Sequence, residues 1–258
     1  MMKSWRLGTV FGFPVDLNLS FLLLLGLVFV AFGGFTGVVL VSLVFASVVL
    51  HELGHALVAR RLGVQVSGIE LSFFGGAAKM VQLPRTANHE LLIAAAGPAV
   101  SLALGGAGLG LASIFHSPLL GWLGYTNLVL AGFNLIPALP MDGGRILRAL
   151  LTRKMDFVHA TDVSVKVARV VAIAFGLIGL TMGAYQLLVL APFLWLMGTR
   201  EQMLARMMAD RYAYSHDGYV ERTQRWSDAR AAGPSYAAPQ LRRFTIRQRG
   251  GRLVIEEV

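Results

Sequence analysis

The chain has 258 residues, 55% of them hydrophobic and only 14% charged, with a mean hydropathy of +0.63 and a net charge of +9. Soluble domains carry nearer a quarter charged residues, so a soluble globular fold is excluded. No cysteine is present, which removes disulfides and thiolate metal sites together.

The apolar residues fall in long runs, the pattern of an all-α polytopic membrane protein. The first run, 17–32, follows Lys3 and Arg6 and leads directly into more apolar sequence, so we read it as a retained span near 15–34 rather than a cleaved signal. Further spans are expected near 37–62, 89–115 and 119–136, with a helical piece near 143–152. If the stretch from 167 to 198 crosses once, the basic tail lies outside; if it crosses twice, each span has only about 15 residues, short of the ~20 usually needed. Two short spans turning near Gly183 bring the total to about six.

The 23 Lys and Arg residues fall at 3–6, 60–85, 145–169 and 200–252, and none lies near 33–37, 116–120 or 183–186. With both termini cytoplasmic, every basic residue faces inward. The charge then meets anionic lipid of the bilayer, and nucleic acid is not an expected partner. Between the second and third spans, 64–85 reads as a short membrane-associated β-hairpin around Gly75-Gly76. Its exposed strand edge could pair with another extended segment, or the hairpin could merely shield what lies beneath it. Two domains are expected: a transmembrane core over 1–199 and a basic cytoplasmic tail over 200–258. The tail should hold a helix near 200–214, a loose stretch through Gly233, Pro234 and Pro239, and a small hairpin over 241–258.

The second span carries His51-Glu52-Leu53-Gly54-His55. Histidines four apart lie on one helix face and can reach one metal ion, with the intervening glutamate beside it as general base to a zinc-bound water. Alone, the five-residue pattern arises by chance in many proteins. Three ionisable groups inside a span are costly without a function, which strengthens it. A catalytic zinc takes a third protein ligand. The candidates between 89 and 162 are His89, Glu90, His116, Asp142, Asp156, His159 and Asp162. Asp142 stands apart: it follows an apolar run broken by Pro137 and Pro140 and precedes Gly143-Gly144. Unwound backbone at membrane depth is tolerated where it lines a polar cavity. Asp142 could equally be a plain helix N-cap, and one carboxylate can do both.

Together these residues resemble the site-2 protease family of intramembrane zinc metalloproteases. His51 to Ala56 is similar to that family's H-E-x-G-H-A. Asn134 to Arg145 is similar to its N-x-x-P-x-x-x-x-D-G-G motif, and Ala94 to Pro98 to its A-G-P segment. The resemblance spans about 1–200 and implies a minimal core enzyme without PDZ or CBS domains. It implies His51, His55 and Asp142 as ligands of Zn2+, Glu52 as catalytic base, and Asn134 beside the scissile carbonyl. It also implies transmembrane protein substrates in a bacterial or archaeal membrane, either anti-sigma-factor-like proteins or remnant signal peptides. In one departure, Ser101 stands where the family commonly has Asn, and no site role is expected of it. The competing reading is a non-hydrolytic membrane metal-binding or transport protein. A di-iron desaturase-type oxidase would need many His boxes, and the two usable histidines, His51 and His55, are too few.

Overall fold

The structure is a computed structural model that describes residues 4–31, 34–72, 75–81, 84, 86–231, 244–249 and 252–257. The chain divides into two compact units, Met1–Met207 and Met208–Val258.

In the first unit, β1 (Ser4–Val10) and β2 (Phe13–Asn18) form an antiparallel hairpin. Its two turn residues, Phe11 and Gly12, both have positive φ, as a two-residue turn matched to strand twist requires. Residues 13–18 are thus a strand where a membrane span was expected to begin. The following helix α1 (Leu19–Ala31) has only 13 residues, about 20 Å of length. Asn18 marks the change: its Oδ1 accepts from the Ser20 N–H, and its Nδ2 donates to Glu70.

Helix α2 (Phe35–Arg61) is 27 residues long, about 40 Å, and ends on Arg60 and Arg61, whose charge suits a helix C-terminus. The hairpin expected after it is present as β3 (Val66–Ser72) and β4 (Gly75–Met80). It does not stand alone. β2 pairs in parallel with β3, giving one four-stranded sheet in the order β1-β2-β3-β4. Phe13 and Val15 of β2 and Ile69 and Leu71 of β3 are buried against Leu53 and Ala56 of α2. This packing lays the sheet on the side of α2 that carries Glu52, while His51 and His55 face α3.

Helix α3 (Ala87–Phe115) starts on Thr86, whose hydroxyl accepts from the His89 N–H. Helix α4 (Pro118–Asn134) starts on Ser117, with Pro118 in the first turn, where a missing N–H does no harm. An irregular segment through Pro137 and Pro140 leads to α5 (Asp142–Leu151). Helix α6 (Phe157–Met182) is capped by Asp156 and ends at Gly183, with φ 68°, before α7 (Tyr185–Ala231). The break at Gly183 lies where a turn was expected. Neither flanking helix is a 15-residue span, however: α6 begins ten residues earlier, at Phe157. Among the described residues three helices are long and apolar enough to cross a membrane: α2, α3 and α6.

A buried ionic cluster ties α3, α5 and α7. Arg148 donates to Glu90 and, at 3.1 Å, to Glu201, with its guanidinium over the Phe157 ring. Arg148 and Glu90 are each only 5% exposed, so each relies on the other for its charge.

In the second unit the described residues are the end of α7 and a two-stranded antiparallel hairpin, β5 (Phe244–Arg249) with β6 (Arg252–Glu257). The loose stretch expected through Gly233, Pro234 and Pro239 lies outside the described residues. The helix expected over 200–214 is part of the longer α7.

Candidate metal centre

His51 and His55 lie one turn apart on α2, 2% and 3% exposed. Each ring is fixed through its Nδ1. His51 Nδ1 is 2.9 Å from Ser101 Oγ, and His55 Nδ1 is 2.6 Å from the Ile93 carbonyl oxygen. A carbonyl can only accept, so His55 carries its proton on Nδ1 and presents an Nε2 lone pair. Both outer partners come from α3, held close to α2 by Gly97. A Cβ there would lie 2.2 Å from His55 Nε2 and 2.6 Å from His51 Nε2.

Asp142 arrives from the other side. After α4 ends, the Pro137–Pro140 segment folds back and α5 begins on Asp142 in its first turn, where the helix dipole favours a negative charge. The approach is tight: a Cβ on Gly143 would lie 2.2 Å from the Leu135 carbonyl oxygen, so only glycine fits. The Asp142 Oδ2 atom stands 3.0 Å from both His51 Nε2 and His55 Nε2, and the two Nε2 atoms are 3.2 Å apart. Three ligands held tetrahedrally at about 2.0 Å from one zinc ion stand about 3.3 Å from each other. The donor set and its spacing therefore fit zinc. His51, Glu52 and His55 also offer donor atoms within 4.8 Å of one another. Asp142 is the better third donor, being nearer to both rings. The Glu52 Oε2 atom is already engaged at 2.9 Å by the Ala78 N–H of β4.

Glu52, His55, Asn134, Asp142 and Arg145 line one cleft of about 200 Å³, with Gly76, Ala77 and Ala78 of β4 on its far wall. Asn134 closes α4, and its amide donates to the Leu130 carbonyl oxygen at 3.0 Å, leaving its second N–H. Arg145 Nη1 lies 3.8 Å from Asp142 Oδ1. The other third-ligand candidates are not brought here. Glu90 pairs with Arg148, Asp156 and His159 pair with each other, and Asp162 meets Gln202 and Arg206.

The sequence profile of Peptidase family M50 matches residues 39–118 and 110–175, more than half of the chain and the whole of this centre. The chain belongs to that family. It is similar to a zinc metalloprotease of Methanocaldococcus jannaschii, 37% identical over 80% of this chain and 63% of the relative. Rip3 of Mycobacterium tuberculosis is 36% identical over 70% of this chain and 52% of its own length. The solved site-2 protease from Methanocaldococcus jannaschii superimposes with a TM-score of 0.62 at 37% identity, covering 78% of this chain and 95% of that one. This chain spans roughly half to two thirds of the length of the curated relatives it matches. As an M50 member with three apolar helices long enough to span, it is a mostly helical integral membrane protein with a small four-stranded sheet.

Three contributors to this M50 centre escape sequence reasoning, one of them the Ile93 carbonyl oxygen behind His55. Ser101 was expected to do no more than pack, yet its hydroxyl holds the His51 ring. Ala78 contributes through its backbone alone. The Ser101 position was marked by its offset from the A-G-P segment. Ala78 carries no mark in the sequence.

Proposed function

We propose that this chain is an intramembrane zinc metalloprotease that hydrolyses peptide bonds within or near transmembrane segments of other proteins. The observation that carries the reading is the convergence at 3.0–3.2 Å of the His51 and His55 donors of the membrane helix α2 with that of Asp142 on α5, beside Glu52. His51, His55 and Asp142 hold the zinc ion. When bound, it supplies Lewis acidity toward a water and a peptide carbonyl.

Glu52 is the base. Its carboxylate faces the cleft, takes the proton of the attacking water and returns it to the leaving amine. Asn134 keeps one amide N–H free of the Leu130 carbonyl, and that donor stabilises negative charge developing on the carbonyl oxygen. Ser101 and the Ile93 carbonyl act through the two imidazoles, fixing ring orientation. The substrate enters unwound, because a helix hides its carbonyls in its own hydrogen bonds, and its extended backbone pairs with the outer edge of β4.

The substrates are single-span membrane proteins of the anti-sigma-factor type or remnant signal peptides. About six spans place both termini in the cytoplasm, with 1–199 as the protease core and 200–258 as a basic tail.

Purified full-length protein with one zinc per chain should cleave a synthetic transmembrane substrate in detergent. Glu52→Gln should lose cleavage by a factor of a thousand or more while retaining zinc. Full cleavage by Glu52→Gln would remove the base assignment. Zinc transport into proteoliposomes without cleavage would replace the protease reading altogether.

A further inference from the structure

β4 is an outer strand of the sheet, and among the described residues it pairs with β3 alone. In an antiparallel ladder, successive residues direct their N–H groups alternately toward the partner strand and away from it. Ala78 stands opposite Ile69, and its N–H points away from β3: it donates to Glu52 Oε2 at 2.9 Å. The strand lies hard against this part of α2. A Cβ on Gly76 would come within 2.8 Å of Val48 Cγ1 and 2.9 Å of Glu52 Cγ. The Glu52 carboxylate therefore sits where the carbonyl oxygen of a neighbouring strand would accept. An extended peptide docking in register on this edge and the Glu52 side chain compete for one donor.

We propose that the Ala78 N–H and the Glu52 carboxylate form a latch that an extended peptide on the β4 edge opens. The peptide carbonyl takes the Ala78 N–H, and the Glu52 carboxylate is released within the cleft that it lines. One hydrogen bond replaces another, and no covalent bond changes. The base is thereby tethered to the strand in the empty protein and released when a peptide backbone lies beside it. This inference rests on the reading of β4 as the docking edge and of Glu52 as the base.

The test uses full-length, zinc-loaded protein in detergent and reads single-amide hydrogen exchange at Ala78. Exchange there should be slow in the native protein and accelerate roughly tenfold or more in Glu52→Ala, where the acceptor is gone. Glu52→Gln keeps an acceptor oxygen and should retain much of the protection. Both variants leave substrate uncut, so their affinities for one synthetic apolar peptide with a Gly-Pro centre can be compared directly. Glu52→Ala should bind it several-fold more tightly than Glu52→Gln, and bound peptide should protect Ala78 again. Equal Ala78 exchange in native protein and Glu52→Ala overturns the latch. Equal peptide affinity of the two variants, with Ala78 protected in both complexes, overturns the competition. Peptide that binds but leaves Ala78 exchanging freely overturns docking on this edge, and so the opening step. That failure is separate from loss of the latch, which the peptide-free exchange reads.

Discussion

Gly97→Ala puts the metal centre under a direct steric demand. The added Cβ would stand 2.2 Å from His55 Nε2, 2.5 Å from His55 Cε1 and 2.6 Å from His51 Nε2. Carbon and nitrogen atoms in ordinary contact stay about 3.4 Å apart or more, so one side must give way by roughly an ångström. The imidazole of His55 is held from behind by the Ile93 carbonyl at 2.6 Å, so the ring has little room to retreat. Zinc tolerates errors of only about 0.2 Å in ligand distance. The substitution should therefore abolish stoichiometric zinc binding. It should do so without unfolding the protein. Overpacking costs about 1–3 kcal/mol, offset in part by the roughly 1 kcal/mol that alanine gains over glycine within a helix. The assay is zinc per chain by elemental mass spectrometry on protein whose helical circular dichroism and elution volume match the native protein. One zinc per chain in Gly97→Ala, with native affinity, would refute the claim that α3 is packed this closely onto the ligands.

Ser101→Ala removes the partner of His51 Nδ1 and should weaken zinc binding about 10- to 100-fold in a chelator competition, as loss of an outer partner does at other zinc sites. Arg148→Met leaves Glu90 buried without its cation and should cost about 3–5 kcal/mol in denaturant unfolding. Replacing Glu90 as well, by Gln, should recover much of that loss. Glu70 on β3 is held below the usual carboxylate range, first by its hydrogen bond from Lys79 and then by that from Asn18. A lowered folded value means that the charged form stabilises the sheet. That stability is fully present above the unfolded Glu value of about 4.3 and is lost as pH falls through the folded value. Glu70→Gln should accordingly flatten the acid limb of the stability profile between roughly pH 5 and 3, read by thermal unfolding in detergent.

The parts of this protein that were legible in the sequence are those whose physics leaves a mark on the chain itself. Two imidazoles four apart on a helix lie on one face and can share an ion, so His51 and His55 announce each other. Asp142 reaches them from a break in the helices, and a break at membrane depth needs Pro137, Pro140, Gly143 and Gly144. The long apolar helices α2 and α3 followed from hydropathy for the same reason. The N-terminal strands were misread because hydropathy smooths over two residues: Phe13, Val15 and Leu17 alternate with Pro14, Asp16 and Asn18. That period-two pattern is half buried against α2, but it runs straight into the apolar residues of α1. The charge of Asp16 and the amide of Asn18 were the available signals that the span had not begun.

Ser101 and Ala78 are different in kind. A small hydroxyl residue on a membrane helix satisfies close packing as well as it satisfies an imidazole, and only the crossing of α3 over α2 decides which it does. The Ala78 amide belongs to the backbone, which every residue other than proline supplies alike. Its role comes from three tertiary facts together: β4 is the outer strand, its register turns this N–H outward, and α2 runs beneath it. The proposed zinc ligands thus declare themselves through local spacing. The groups that orient them do so through packing between distant segments. In this chain the hold on the Glu52 carboxylate therefore depends on the lie of the sheet on α2 rather than on the His51-to-His55 motif.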